Sequence, residues 1–229
     1  GGNAALGGSP GGASLTINGT TDLGGATRTI TMSNSVTFAG VVSNGGLVID
    51  ASAANRRLTF TADNTYSGGT AVTAGVLLVN NTNGTGTGSG AVTVASNAVI
   101  GGSGIIGGDL VLSDGALFAF DTSYTLTLNG LLTIAPTFGV NSLRTTSGGN
   151  IDWASILVGT YTLLETSFVF SDSNIGNFGP DNAQDIGEGR SAYFTDGSLV
   201  LNVIPEPSTY ALLALAASAL GARLLRRRR

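Results

Sequence analysis

The chain has 229 residues, 42% of them hydrophobic, with 36 glycines and a formal net charge of −4. Cysteine and histidine are absent, and with every basic residue an arginine there is no lysine either. These absences exclude a Ser-His-Asp triad, an imidazole base, an ordinary zinc site, a thiol nucleophile and any disulfide.

The apolar share is enough for a packed core and argues against wholesale disorder. Glycine stands at roughly twice its usual share. With three Glu and one Gln, the charged and polar helix formers are nearly missing. Thr, Val, Ser, Asn and Gly are abundant, the vocabulary of strands and turns. Charge is divided unevenly. Residues 1–204 carry thirteen acids against five arginines, a net of −8, and residues 205–229 carry one Glu against five arginines, a net of +4. An acidic, lysine-free body lacks the basic face that phosphate neutralisation needs, so no nucleic-acid partner is expected.

The opening "GGNAALGGSPGG" has neither a basic n-region nor an apolar h-region and does not read as a secretory signal. It reads as part of a Gly-rich β array, as expected of a processed product or the C-terminal piece of something longer. From residue 14 to about 134, short alternating segments are separated by Asn, Gly, Ser or Asp. "RTITMSNSVTFAG", "GVLLVNN", "GAVTVASNAVI" and "YTLTLNGLLTI" are examples. Alternation places Leu15 with Ile17, Ile30 with Met32, Val36 with Phe38, Leu58 with Phe60, Val92 with Val94, Leu110 with Leu112, and Leu126 with Leu128 on one face each. Strands of about four to six residues are expected, with no helix pattern between them. Such strands cannot bury one apolar side alone. They assemble either as a sandwich or barrel, or as a β-solenoid whose coils stack. Gly and Asn at recurring corners and the scarcity of charge favour the solenoid. Asn64, Asn80, Asn81 and Asn97 fall at turns, where they either stack into amide ladders or simply tolerate the left-handed region.

"DNTYSGGTAVTAGVLLVNN" (Asp63 to Asn81), followed by "GSGAVTVASNAVIGGSGIIGGDLVL", resembles the autotransporter-associated β-strand repeat, best over residues 58–112. The resemblance implies a right-handed parallel β-helix over residues 1–135. In it "YSGG" is a tight corner, with Gly68 and Gly69 free to take positive φ. The residues after Ile134 are too few for the outer-membrane barrel in which autotransporters end. Residues 136–204 are less repetitive and hold the single tryptophan, Trp153. Their "SAYFTDGSLVLNV" predicts a hairpin about "TDG". This segment is expected to cap the open end of the solenoid.

Chemical motifs are weak. "GSGIIG" at Gly102–Gly107 fits G-x-G-x-x-G, but a strand and turn follow it where a dinucleotide site needs a helix. "DSNIGN" at Asp172–Asn177 begins like a calcium loop and lacks its later ligands. Asp181, Asp185 and Glu188 read as a solvated acidic loop, and no metal or other cofactor is expected. Arg56 and Arg57 lie between Asp50 and Asp63, a mixture that could suit polysaccharide chemistry. The acids are nevertheless spread singly, and no catalytic residues are assigned.

The chain ends in "PEPSTYALLALAASALGARLLRRRR". Pro205 and Pro207 stop β structure. Tyr210 to Leu225 reads as a short transmembrane helix, about 24 Å long against a hydrocarbon core of about 30 Å. Snorkelling arginines accommodate the difference. Arg223, Arg226, Arg227, Arg228 and Arg229 set its orientation by the positive-inside rule, tail in the cytoplasm and body outside. Motif, apolar run and arginine cluster over residues 205–229 together resemble the PEP-CTERM sorting signal. The resemblance implies recognition of Pro205, Glu206 and Pro207 by an exosortase-type membrane protease, with cleavage near the motif. The expected protein is a non-catalytic, secreted component of the cell surface or exopolysaccharide matrix. The alternative is an adhesin or polysaccharide-processing enzyme on the same scaffold.

Overall fold

The computed structural model describes residues 2–7, 13–51, 53–166, 175–195 and 198–206. They form a parallel β-solenoid with almost no helix. Its first face is a seven-stranded sheet of β1 (Ala4–Leu6), β3 (Thr21–Met32), β5 (Val42–Ala51), β7 (Thr70–Ala74), β9 (Val92–Val94), β12 (Leu110–Leu112) and β15 (Leu132–Ile134). The second face stacks β2 (Leu15–Ile17), β4 (Val36–Phe38), β6 (Arg57–Phe60), β8 (Val76–Val79), β10 (Val99–Gly102), β13 (Leu117–Ala119) and β16 (Leu143–Arg144). Every pairing within these two faces is parallel.

Register explains why the coil closes. On the first face Ile30, Ile49, Val72, Val94, Leu112 and Ile134 stand directly over one another. Successive members lie 18 to 23 residues apart, one circuit of the coil. On the second face Leu15, Val36, Leu58, Leu77, Ile100, Phe118 and Leu143 form the matching column. With side chains alternating across each strand, these columns point inward and meet in one continuous core. The alternating pairs expected from sequence are buried, except Leu15 and Ile17. Those two belong to the first coil, with no described coil beneath them, and Leu15 stays 37% exposed.

The third side starts without strands. Residues 61–68 and 84–90 run across it, tied by Asn64 N–H to Thr85 O at 2.7 Å and Ser89 N–H to Tyr66 O at 3.1 Å. It becomes a sheet at β11 (Ile105–Ile106) and β14 (Leu126–Leu128). The sheet then continues through β17 (Gly159–Thr166) to β20 (Leu199–Pro205), β19 (Arg190–Thr195) and β18 (Gln184–Gly187). Pairing is parallel as far as β17 and antiparallel beyond it. Two of the three sides therefore gain strands beyond residue 135. β16 still belongs to the second face, and β17 extends the third. Phe138, Val140 and Leu143 pack in the same core as Ala192, Phe194, Leu199 and Leu201, over the last coil.

Some details differ from the sequence expectation. β3 and β5 have 12 and 10 residues, not four to six. They wrap a corner, where Gly24 and Gly25 take positive φ and the register shifts between Asp22 and Ala26. At "YSGG" only Gly69 takes positive φ, at 81°. Gly68 is needed for space, since a Cβ there would lie 2.6 Å from the Gly45 carbonyl oxygen of the coil below. The β19–β20 hairpin is present, while the "DG" of its turn lies outside the described residues, as does the expected transmembrane helix. Among the described residues no helix is long and apolar enough to cross a membrane.

Candidate functional site

The sorting motif is the residue set with the sharpest sequence signal, and its first two members are described. Pro205 is the last residue of β20 and pairs with Arg190 of β19. Here a proline fits, because pairing with β17 on the other side stops at Val203 opposite Gly159. Just past β20, the Glu206 backbone N–H donates to Gly189 O at 2.9 Å. The motif thus leaves directly from a strand held between two neighbours. Pro207, Arg223, Arg226, Arg227, Arg228 and Arg229 lie outside the described residues.

The other candidates resolve into structural roles. Gly102 ends β10 at φ +121°, and a Cβ on it would overlap the Val79 carbonyl oxygen in the coil below. β11 and β12 follow, so no helix N-terminus faces the glycines of Gly102–Gly107 and they are stacking residues. Asp185 accepts from Gly187 N–H at 2.7 Å, and Glu188 occupies the next turn at φ 56°. Asp181 sits in a short 3-10 turn, Pro180–Asn182. Among the described residues no three acids, histidines or cysteines gather closely enough to hold a metal ion. Asp172, Ser173 and Asn174 lie outside them. Asp63 accepts from Asn81 Nδ2, 18 residues along the chain, at 3.3 Å. Asp22 accepts from Gly24 N–H at 2.7 Å and Asn44 Nδ2 at 2.9 Å. The backbone bond, then the Asn44 bond, holds its carboxyl below the ordinary value, opposite to the direction a general acid requires.

The turn asparagines do not form a ladder of one amide upon the next. Asn64, buried, is a three-coil clamp. Its Oδ1 accepts from Val42 N–H at 2.7 Å in the coil below, and its Nδ2 donates to Gly86 O at 2.6 Å in the coil above. Asn80 and Asn81 accept from Ser103 N–H at 3.2 Å and Ile105 N–H at 2.9 Å. Of Asn64, Asn80, Asn81 and Asn97, only Asn97 takes the left-handed region, at φ 61°, as Asn44 and Asn177 do elsewhere. Beside Asn64, the buried Tyr66 hydroxyl bonds the Thr70 hydroxyl at 2.6 Å. Burial pushes the Tyr66 phenol well above its ordinary value, and the Thr70 bond acts the other way.

Among the described residues two concave surfaces bear on function. A cavity of about 550 Å³ opens at the N-terminal end of the stack, lined by Leu6, Ile17, Leu23, Ile30 and Phe38 with Arg28. Its apolar lining belongs to the first described coils. A shallow groove of about 370 Å³ crosses successive coils along one corner, past Thr27, Ser67, Gly68, Gly69, Thr70 and Thr93. Its lining mixes hydroxyls and glycine backbone with the aliphatic side chains of Leu47, Val48, Ala71 and Ala91.

Against known families, the model of the PEP-CTERM protein-sorting motif matches residues 203–229. The chain carries a PEP-CTERM sorting motif. The passenger-associated-transport-repeat model matches residues 57–79, and this stretch has a definite shape. It runs from β6 around the third side and β7 to β8, which lies directly on β6 with Phe60 opposite Val79. One repeat is one circuit of the solenoid plus the strand that closes it. Neither a curated protein nor a solved structure matches the chain. A secreted, envelope-sorted surface protein built on a β-solenoid follows from the two matches.

Proposed function

We propose that the PEP-CTERM chain is a non-catalytic solenoid of the cell surface or exopolysaccharide matrix, delivered by an exosortase-type protease. The observation that carries this is the junction at Pro205–Glu206, where the sorting motif grows out of β20 with no intervening linker. The folded coil and its address are one unit, so the coil itself is the cargo. In this reading Tyr210–Leu225 spans the membrane before processing, with the arginines on the cytoplasmic side. The groove past Thr27, Ser67 and Thr93, and the outward column Thr16–Thr37–Thr59 on the second face, favour weak, repeated contact with a polysaccharide.

The test is the intact mass and C-terminal peptide map of the protein from its own host. Peptides ending near Pro205–Thr209, with Arg229 missing, are expected. An intact arginine tail in the membrane fraction would overturn the sorting role. Purified protein should also be retained on the host's polysaccharide without shortening it. Depolymerisation would make it an enzyme.

A further inference from the structure

The sheet end that releases the sorting motif has a second feature. β17 and β20 are antiparallel with Gly159 opposite Val203, so the segment entering β17 lies where β20 finishes. That segment displays Leu157 at 75% exposure and Val158 at 52%. The other exposed large hydrophobics among the described residues, Leu15 and Leu131, are not sequence neighbours of one another. The display is also built. Arg190 of β19, the partner of Pro205, donates through Nη2 to Trp153 O at 2.8 Å and through Nη1 to Ile156 O. The Tyr161 hydroxyl donates to Leu157 O at 2.8 Å. Phe120 packs on Trp153 with ring centroids 6.3 Å apart, and on Tyr161 at 5.5 Å. A strand, a cation and an aromatic stack therefore fix a loop whose tip offers two aliphatic side chains to solvent.

Chain length says what lies opposite the tip. From Glu206 to Tyr210, where the apolar run begins, there are four Cα steps, at most about 14 Å. Each headgroup layer is roughly 6 Å deep. A body tethered this closely holds the end of β20, and the loop beside it, at the lipid surface. We propose that Leu157 and Val158 insert into the outer membrane–water interface as a foot beside the anchor. This rests on the membrane-spanning reading of the tail given above. Foot and anchor together fix the angle at which the solenoid leaves the membrane. Glu188, in the turn between β18 and β19, and Glu206 flank the site, while Arg190 is engaged with backbone carbonyls. The surface it fits is zwitterionic lipid, with no gain from anionic headgroups.

The chain has no cysteine, so one can be introduced as a unique label site. Full-length protein carrying Leu157→Cys, Val158→Cys, Thr93→Cys or Ala214→Cys would be spin-labelled and placed in phosphatidylcholine vesicles. Collision with oxygen and with a water-soluble nickel chelate would then be compared. Labels at 157, 158 and 214 are expected to favour oxygen several-fold relative to 93. If 157 and 158 behave like 93 while 214 stays in hydrocarbon, the foot is wrong and the anchor stands. If 214 is also aqueous, the anchor reading fails and takes the foot with it. Trp153, the only tryptophan, gives a label-free check. Brominated lipid should quench its emission in the wild type and several-fold less in Leu157→Asp/Val158→Asp of unchanged circular dichroism. Equal quenching in the two would overturn the foot.

Discussion

Asn64 is the side chain on which three coils depend, and replacing it measures how the coils are coupled. In Asn64→Ala the Val42 N–H and the Gly86 carbonyl both lose their amide partner, and both residues are buried. Leaving a buried backbone group without a partner costs about 1–3 kcal/mol. Two such groups give about 2–6 kcal/mol, before any gain from relaxation. For a domain of this size about 3 kcal/mol corresponds to a fall in Tm of roughly 6–12 °C. Asn83→Ala is the control, because the Asn83 amide is exposed and contacts only the neighbouring Thr82 hydroxyl, so a change within about 0.5 kcal/mol is expected. The assay is thermal and urea unfolding of both variants, with hydrogen exchange at the Val42 amide. Asn64→Asp sharpens the result. The ionised carboxylate of that variant still accepts from Val42 but faces the Gly86 carbonyl with no proton to give. Its folded-state pKa is therefore raised, so the variant's stability relative to wild type is greatest in acid and lost as pH rises through that value. The clamp reasoning is refuted if Asn64→Ala melts with Asn83→Ala, or if the Val42 amide exchanges at its wild-type rate.

The Tyr66–Thr70 pair is buried, so Tyr66→Phe, which strands the Thr70 hydroxyl, should cost about 1–3 kcal/mol. Adding Thr70→Val should recover part of that loss, as a double-mutant cycle would show. Because the folded-state phenol is raised, its stabilisation is complete below about pH 10 and lost above it, as the unfolded chain ionises. Wild-type Tm should accordingly fall faster than that of Tyr66→Phe between about pH 10 and 12. Gly102→Ala meets both a φ of +121° and the Val79 carbonyl, and should cost more than about 2 kcal/mol in urea unfolding. Gly19→Ala, with open space around its Cβ position, should be near neutral. Substituting Pro205, Glu206 and Pro207 together by Ala should leave Tm within about 2 °C, since β20 keeps its Leu199–Val203 pairing. It should abolish C-terminal processing on a blot, and continued cleavage would show that the protease reads something else.

The coil was legible wherever one face of a strand is wet. Leu58–Thr59–Phe60 and Val92–Thr93–Val94 announce their inward side by alternation alone, and the structure buries those residues. β8 carries no such signal, because "VLLV" is buried on both faces. Its outward Val76 and Leu78 join Val99 and Ala119 in a separate apolar cluster, and Gly148, arriving from the turn after β16, packs against Val76. Only a contact across some 70 positions reveals that. Choosing a solenoid over a sandwich also needed family resemblance, since both demand the same alternation. The switch from parallel to antiparallel at β17 leaves no periodic trace. Of the site, the motif at Pro205–Pro207 was visible because its residue types are rare in this chain. The loop at Leu157 was not, because exposure of a Leu-Val pair inside an apolar stretch is decided by what packs on it. Asn64 was visible as a turn residue, but its partners are 22 residues away on either side.

The parallel register has a mechanical side. In the stacked sheets the inter-strand hydrogen bonds run along the solenoid axis, and adjacent strands lie about 4.8 Å apart. A pull on the N-terminal coil, with the far end held at the envelope, opens those bonds one row at a time rather than shearing a whole sheet at once. Each coil that peels away turns about 20 residues of folded chain into extended tether, roughly 70 Å of slack for about 5 Å of lost height. The body would yield under load in steps, coil by coil from the loaded end, lengthening several-fold before the strand that bears the sorting motif feels the strain.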